Sequence, residues 1–159
     1  MPRVVLYQPE IPPNTGNVAR TCAATCTELH LIEPLGFEIS DRSVRRAGLD
    51  YWPWVQLHRH PDWQSFALHQ GERGGRLLGL SRHASQPYHQ QSFQADDWLV
   101  FGRETTGLPP ELLQQMDARL LIPMPGSVDL GGGVRSLNLA SAVAVVLFEA
   151  LRQLDGEPA

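Results

Sequence analysis

The chain has 159 residues, a formal net charge of −4 and 42% hydrophobic residues. A domain of about 150 residues can bury roughly 70% of its unfolded surface, so we expect residues 1–159 to form a single domain. All 13 basic residues are arginine, which excludes Schiff-base chemistry, pyridoxal phosphate attachment and a Walker-type phosphate loop, because each of these requires a lysine.

The apolar runs of the sequence are short. None of them approaches the roughly 20 residues that a membrane-spanning helix needs. The chain opens directly into Val4-Val5-Leu6 without a signal-peptide pattern, so we expect a cytoplasmic protein with no membrane partner. The negative charge argues against nonspecific coating of nucleic acid, but it is compatible with a local arginine patch on one face.

Strand and helix patterns alternate through the first half of the chain. The β-branched run from Arg3 to Tyr7 predicts a strand, which the proline-rich loop after it must end. Asn14 is a candidate cap for a helix that runs to about Thr27. The next predicted elements are a strand from Leu29 to Ile32, a short helix from Asp41 to Ala47, a strand around Val55 to His58 and a helix from Asp62 to Gln70.

The same alternation continues in the second half. Arg76 to Leu80 and Asp97 to Phe101 predict strands, and the segment between them, Ala84 to Asp96, predicts a long loop because it has no clear period. A helix from about Pro110 to Met116 precedes a last strand that ends at Ile122. The alternation predicts an α/β fold with a largely parallel sheet.

The C-terminal part combines a glycine-rich run with a long helix. Residues 126–133 include Gly126, Gly131, Gly132 and Gly133, and Ser136 or Asn138 can cap the helix that follows. That helix is apolar nearly all the way round rather than along one stripe. We therefore expect a second copy of the protein to cover part of it.

The two cysteines are too few for a disulfide scaffold. Cys22, Cys26 and His30 repeat every four residues, which would suit a zinc site if one helix carried all three. The segment from Glu28 to Ile32 favours a strand instead, so His30 leaves that face. We predict two buried free thiols and no metal site.

Three loops that follow predicted strands are candidates for the functional site. They begin at Ser81, Gly102 and Pro123, and ligands of open α/β sheets bind at the carboxyl ends of strands. Their small residues suit a neutral purine edge better than a pyrophosphate. A dinucleotide site is disfavoured because no G-x-G-x-x-G follows the first strand, and a serine hydrolase is disfavoured because the segment from Gly79 to His83 lacks the second glycine of a nucleophile elbow.

Several motifs in order resemble one known family. PEIPPNTGNVAR (9–20), FGRETTGLP (101–109), and IPM (122–124) with RSLNL (135–139) are similar to the three motifs of the SPOUT RNA ribose methyltransferases. LIEPLGF (31–37) and RRAGLDY (45–51) resemble the small members that methylate the wobble ribose of tRNA, the tRNA (cytidine/uridine-34)-2'-O-methyltransferases. The similarity covers nearly the whole chain. Taken singly, Asn14, Gly16, Glu104 and Ser136 are explained equally well as cap, packing or loop residues.

The resemblance implies an α/β fold with a C-terminal trefoil knot, and a homodimer that binds S-adenosylmethionine in the knot without a metal. Neither periodicity nor spacing points to a knot. Carried over by motif, the cofactor-binding residues are Leu80, Gly102, Ile122, Met124, Ser136 and Leu137. The catalytic candidates are Arg20, Asn17 and Glu104. The glycine-rich loop at 126–134 is longer than in the family.

The implied substrate is the anticodon stem-loop of tRNA. Because an arginine stays protonated in proteins, we expect Arg20 to bind a phosphate and stabilise the developing alkoxide rather than act as a base. Arginine grips phosphate bidentately, so the RNA-binding candidates are Arg42, Arg45, Arg46, Arg59 and Arg82. Two alternatives stay open: methylation of another tRNA or rRNA ribose, and a module that binds cofactor and RNA without catalysis.

Overall fold

The computed structural model describes residues 1–40, 42, 44, 46, 51–126 and 134–155. Its strands are β1 (Arg3–Tyr7), β2 (Leu29–Ile32), β3 (Leu57–His60), β4 (Leu77–Leu80), β5 (Gln86–Pro87), β6 (Trp98–Phe101) and β7 (Ala118–Leu121). Its helices are α1 (Pro12–Ala24), α2 (Trp63–Arg73), α3 (Pro110–Leu113) and α4 (Leu139–Asp155). Arg42, Val44 and Arg46 are also helical, in agreement with the predicted short helix.

The seven strands form one sheet in the order β3-β2-β1-β6-β4-β7-β5. Every pairing between these strands is parallel. The predicted α/β class with a largely parallel sheet is therefore confirmed. The trefoil knot stays a prediction, because the glycine-rich segment 127–133 lies outside the described residues.

Successive residues of the central strand β1 pack on opposite sides of the sheet. Val4 and Leu6 join the core that α1 and α4 cover, whereas Val5 and Tyr7 join the core that α2 and α3 cover. A parallel strand between two helical layers is buried on both faces, which explains why β1 is an unbroken apolar run after Arg3.

The strand register brings three loops together at one edge of the sheet. Leu80 at the end of β4 is paired with Phe101 at the end of β6 and with Leu120 in β7. The chain therefore leaves these three neighbouring strands at the same level. This is the edge at which the sequence predicts a ligand site.

Several predicted element boundaries were wrong, including the ends of the first helix, at Ala24 rather than Thr27, and of the helix from Pro110, at Leu113 rather than Met116. Helix α1 starts at Pro12, with Ile11 as its cap residue and no side-chain cap of its own, so Asn14 lies within the first turn. Two prolines suit this position because their fixed φ is already helical and a first-turn amide needs no helical partner. Strand β3 lies two residues later than predicted, and the predicted loop 84–96 contains β5 and a short 3-10 helix, Tyr88–Gln90.

The long C-terminal helix α4 is confirmed, and Asn138 caps it. The Asn138 Oδ1 accepts hydrogen bonds from the backbone amides of Ala140 and Ser141, at 2.9 and 3.4 Å. Val143 and Leu147 are buried against the sheet, whereas 55% of Phe148 is exposed. Among the described residues, no helix is long and apolar enough to cross a membrane.

The two free cysteines differ in their surroundings. Cys22 is buried, as predicted, but Cys26 is exposed, so the prediction of two buried thiols was wrong for Cys26. Cys26 lies beyond the end of α1 in a left-handed turn with φ of 54°, and this turn carries its side chain away from the core. His30 lies in β2, as expected.

Candidate active site

A cavity of about 320 Å³ lies at the carboxyl ends of β4, β6 and β7. All six residues predicted to bind the cofactor line it: Leu80, Gly102, Ile122, Met124, Ser136 and Leu137. The loops after three strands and the start of α4 thus meet around one space. This size suits a nucleoside-sized ligand.

Gly102 permits the tight turn that forms one wall of the cavity. A Cβ atom on Gly102 would lie 2.1 Å from the carbonyl carbon of Gly107 and 2.2 Å from the amide nitrogen of Leu108. The loop is closed by a backbone pair in which the Gly107 amide donates to the Arg103 carbonyl at 2.9 Å. Gly107 itself has a φ of 70°, a value that favours glycine.

Glu104 lies in the loop after β6 and caps helix α1. Its Oε2 accepts from the backbone amide of Glu10 at 2.8 Å, and its Oε1 accepts from the amide of Ile11 at 3.1 Å. A carboxylate at this place supplies the cap that Ile11 lacks and is favoured by the helix dipole. Glu104 therefore lines the cavity while both of its oxygens hold the start of α1.

The loop before α1 also binds the loop after β6, so each loop accepts hydrogen bonds from the other. The carboxylate of Glu10 accepts from the Thr105 hydroxyl at 2.7 Å and from the Thr105 amide at 3.3 Å. Arg103 donates to the side chain of Gln8, and its guanidinium lies 5.3 Å from the centre of the Tyr7 ring. These contacts fix the wall of the cavity against β1.

Asn14 connects the three sequence motifs. This role was not predicted from the sequence. Asn14 is buried, its Oδ1 accepts from the Asn138 side chain at 2.9 Å, and its Nδ2 lies 3.5 Å from the Glu104 carboxylate. A cap role at the start of α1 explained Asn14 without any tertiary partner. The sequence did contain one signal. If the helix starts at the two prolines, the asparagine that follows them lies inside the first turn and is not the N-cap residue, so its side chain is available for another partner.

Arg20 and Asn17 lie on the exposed side of α1 and do not line this cavity. The Arg20 guanidinium lies 4.6 Å from the centre of the Tyr51 ring and donates to the Tyr51 hydroxyl at 3.2 Å. Tyr51 therefore fixes the direction of the arginine. Of the three catalytic candidates, a single chain brings only Glu104 to the cavity.

The predicted RNA-binding arginines have different surroundings. Arg42 and Arg46 are exposed on helical turns, and Arg45 lies outside the described residues. Arg59 forms an ion pair with Glu33. Arg82 lines the cavity, so it can contact a ligand bound there.

Comparison with known proteins identifies the family. Residues 1–148 match the SpoU rRNA Methylase family. The chain belongs to this family. It is 54% identical over 155 residues to a protein of Synechocystis sp., with 97% of each chain covered. It is 47% identical to the tRNA (cytidine(34)-2'-O)-methyltransferase of Burkholderia pseudomallei, with 97% of this chain and 96% of the relative covered.

Solved structures of similar proteins share this fold. One concerns the 2-OH methylation of C/U34 on tRNA; it has a TM-score of 0.90 and 48% identity, over 99% of this chain and 98% of that chain. An rRNA methyltransferase of Sinorhizobium meliloti with AdoMet bound has a TM-score of 0.85 and 26% identity, over 96% of this chain and 56% of that chain. The family resemblance stated from the motifs is thereby confirmed.

Proposed function

We propose that this SpoU protein transfers a methyl group from S-adenosylmethionine to the ribose 2'-hydroxyl of the wobble nucleotide, position 34, of tRNA. The observation that carries the proposal is the near-full-length similarity to proteins and structures assigned to this reaction, at 47% and 48% identity. The six residues predicted to bind the cofactor lie around one cavity, which supports the same reaction. The substrate implies a cytoplasmic enzyme.

The cavity fits S-adenosylmethionine in size and in chemistry. Leu80, Ile122 and Leu139 supply apolar walls, and Ser136 supplies a polar group. The ends of β4 and β6 offer backbone amides and carbonyls, which suit the edge of a neutral purine. We propose that Leu80, Gly102, Ile122, Met124, Ser136 and Leu137 hold the cofactor.

The main task of the protein in this reaction is to position the ribose oxygen next to the methyl group. S-adenosylmethionine supplies a methyl group on a sulfonium, which needs no further activation, so the reaction requires no metal. The protein must hold the ribose oxygen in line with the methyl group and favour the loss of its proton. Arg20 binds the adjacent phosphate and stabilises the developing alkoxide, while that phosphate or a water takes the proton.

The other two catalytic candidates have supporting roles. Asn17 lies one turn before Arg20 on the same side of α1, where it contacts the same RNA segment. Glu104 acts as a positioning residue, because both of its oxygens hold the amides at the start of α1.

We also propose a homodimer in which one protomer supplies the cavity and the other supplies Arg20. Two observations support it: Arg20 does not line the cavity of its own chain, and exposed apolar side chains lie on α4 and beside the cavity. These are Ile11, Leu137 and Phe148, which are 42%, 39% and 55% exposed. A symmetric pair covers such surfaces in an isologous interface.

The anticodon stem-loop would then be bound by residues of both protomers. Arg42, Arg45, Arg46, Arg59 and Arg82 are the proposed RNA contacts. Replacing Arg45 and Arg46 together by alanine should weaken tRNA binding and flatten its salt dependence, because each lost phosphate contact lowers the number of released counterions by about one. An unchanged salt slope would remove this patch from the proposal.

Methyl transfer to total tRNA, followed by mass spectrometric mapping of the modified nucleotide, tests the reaction. The proposal expects 2'-O-methylcytidine or 2'-O-methyluridine at position 34, and its loss in Arg20→Ala. A product at another tRNA or rRNA position would replace the substrate assignment. Binding of S-adenosylmethionine without any turnover would favour the non-catalytic module.

Mixing two inactive variants tests the shared site. A dimer of Arg20→Ala with Gly102→Ala contains one site with both an intact cavity and an intact arginine. Random pairing makes half of the dimers mixed, so the mixture should recover about a quarter of the native activity. No recovery after subunit exchange would mean that each chain builds its own site.

A further inference from the structure

Four histidines form a cluster between β2, β3 and α2, away from the cavity. His30 and His58 are register partners on neighbouring parallel strands, and their rings stack with centroids 4.5 Å apart. His60 lies two residues further along β3. His69 of α2 packs against this group, with its ring centroid 5.1 Å from that of His60. The four imidazole rings therefore lie in contact with one another.

Glu28 completes the arrangement at the entrance to β2. Its Oε2 lies 2.9 Å from His30 Nε2 and 3.9 Å from His58 Nε2. One ligand atom from each of these three residues lies within 4.8 Å of the other two. We propose that Glu28, His30 and His58 bind a divalent transition metal ion, such as zinc, at the edge of the sheet.

The donor set and its support suit such an ion. Two imidazoles and a carboxylate are ligands of borderline metals such as Zn²⁺, Co²⁺ and Ni²⁺. His30 Nδ1 lies 2.9 Å from His60 Nε2, which is the outer hydrogen bond that commonly orients a metal-binding imidazole.

Of the three proposed ligands, His58 is the most exposed. His58 is 40% exposed, which gives the ion a path from solvent. Because His58 is stacked parallel to His30, its ring must turn toward Glu28 to coordinate the same ion.

Arg73 competes with the ion for the carboxylate. Its Nη1 and Nη2 donate to the two oxygens of Glu28 at 2.6 and 2.9 Å, and Arg3 Nε lies 3.7 Å from the same group. A metal ion must displace Arg73 from Oε2, against the charge of both guanidinium groups. Removing Arg73 should therefore strengthen metal binding, which distinguishes this site from casual binding to surface histidines.

The site would act on stability rather than on methyl transfer. None of the cluster residues belongs to the described lining of the cavity. A metal held by β2 and β3 would instead clamp the edge strand β3 to its neighbour, and any ligand that binds only the folded state raises the melting temperature. Chelation should leave the reaction at the cavity unchanged.

Metal titration of the chelator-treated full chain tests the proposal, with Zn²⁺ followed by calorimetry and Co²⁺ by its visible absorption. We expect His58→Ala to weaken binding by at least about tenfold, Arg73→Met to tighten it, and His89→Ala, an exposed histidine outside the cluster, to leave it unchanged. His58 is the decisive position because its partial exposure makes a folded variant attainable, unlike buried His30.

The titration must be repeated in the Cys26→Ser variant, because the exposed thiol of Cys26 can also bind zinc. In Cys26→Ser the native pattern should persist, with binding still lost in His58→Ala. The proposal is overturned if the native chain binds neither metal, if His58→Ala binds as well as the native chain, or if Cys26→Ser alone abolishes binding.

Discussion

Replacing Glu104 by alanine would test whether one carboxylate joins the cavity loop to helix α1. Glu104 accepts two backbone amides at 2.8 and 3.1 Å. A hydrogen bond to a charged group contributes about 1.5–3 kcal/mol, and loss of a helix cap costs about 1 kcal/mol. Because Glu104 is half-buried, we expect a total loss of about 2 kcal/mol, which corresponds to about 4–8 °C for a domain of this size.

Thermal unfolding followed by circular dichroism measures this loss. Glu72→Ala is the matched control, because Glu72 is exposed on α2 and should change stability by less than about 0.5 kcal/mol. Glu104→Gln should fall between the two, since an amide retains one oxygen acceptor but loses the charge. If Glu104→Ala melts at the temperature of the control, the capping contact does not hold the loop and the reasoning fails.

Other features give further predictions. Gly102→Ala should abolish S-adenosylmethionine binding in calorimetry, because its Cβ would lie 2.1 Å from backbone, whereas Gly71→Ala, with no atom within 4 Å, should bind normally. Burial raises the pKa of Cys22 to about 12, so iodoacetamide at pH 8 should label Cys26 alone until the chain is unfolded, as peptide mass spectrometry would show. Phe148→Asp should shift the sedimentation coefficient from dimer to monomer, because a dimer interface would bury the new charge. Equal sedimentation of this variant and the native chain would place the interface elsewhere.

The fold class was predictable because the hydrophobic pattern records burial directly. The alternation of strand and helix patterns predicts an α/β fold, and in the structure the apolar strand β1 lies between two helical layers. The order of strands was not predictable in the same way. The pairing of β4 with β6 and β7 depends on how distant segments pack, and no local pattern of residues encodes it.

Local reasoning also misjudged Asn14. A short polar side chain near a helix start satisfies the capping rule by itself, so that rule gave no reason to seek partners 90 and 124 residues away. In the structure those partners are Glu104, which accepts from the amide of the α1 cap residue Ile11, and Asn138, which accepts from first-turn amides of α4. Long-range polar contacts of this kind follow from the fold and cannot be derived before it.

Asn14 and Arg20 occupy different positions along helix α1, which Glu104 caps. Asn14 in the first turn contacts the cavity network, while Arg20 lies six residues later, about 9 Å further along the axis at 1.5 Å per residue. A helix is stiff over this length, so a carboxylate that fixes its first turn also fixes where the guanidinium of Arg20 is presented. Because the stiff helix holds Arg20 away from the cavity of its own chain, we expect Arg20 to reach the cavity of a second protomer instead.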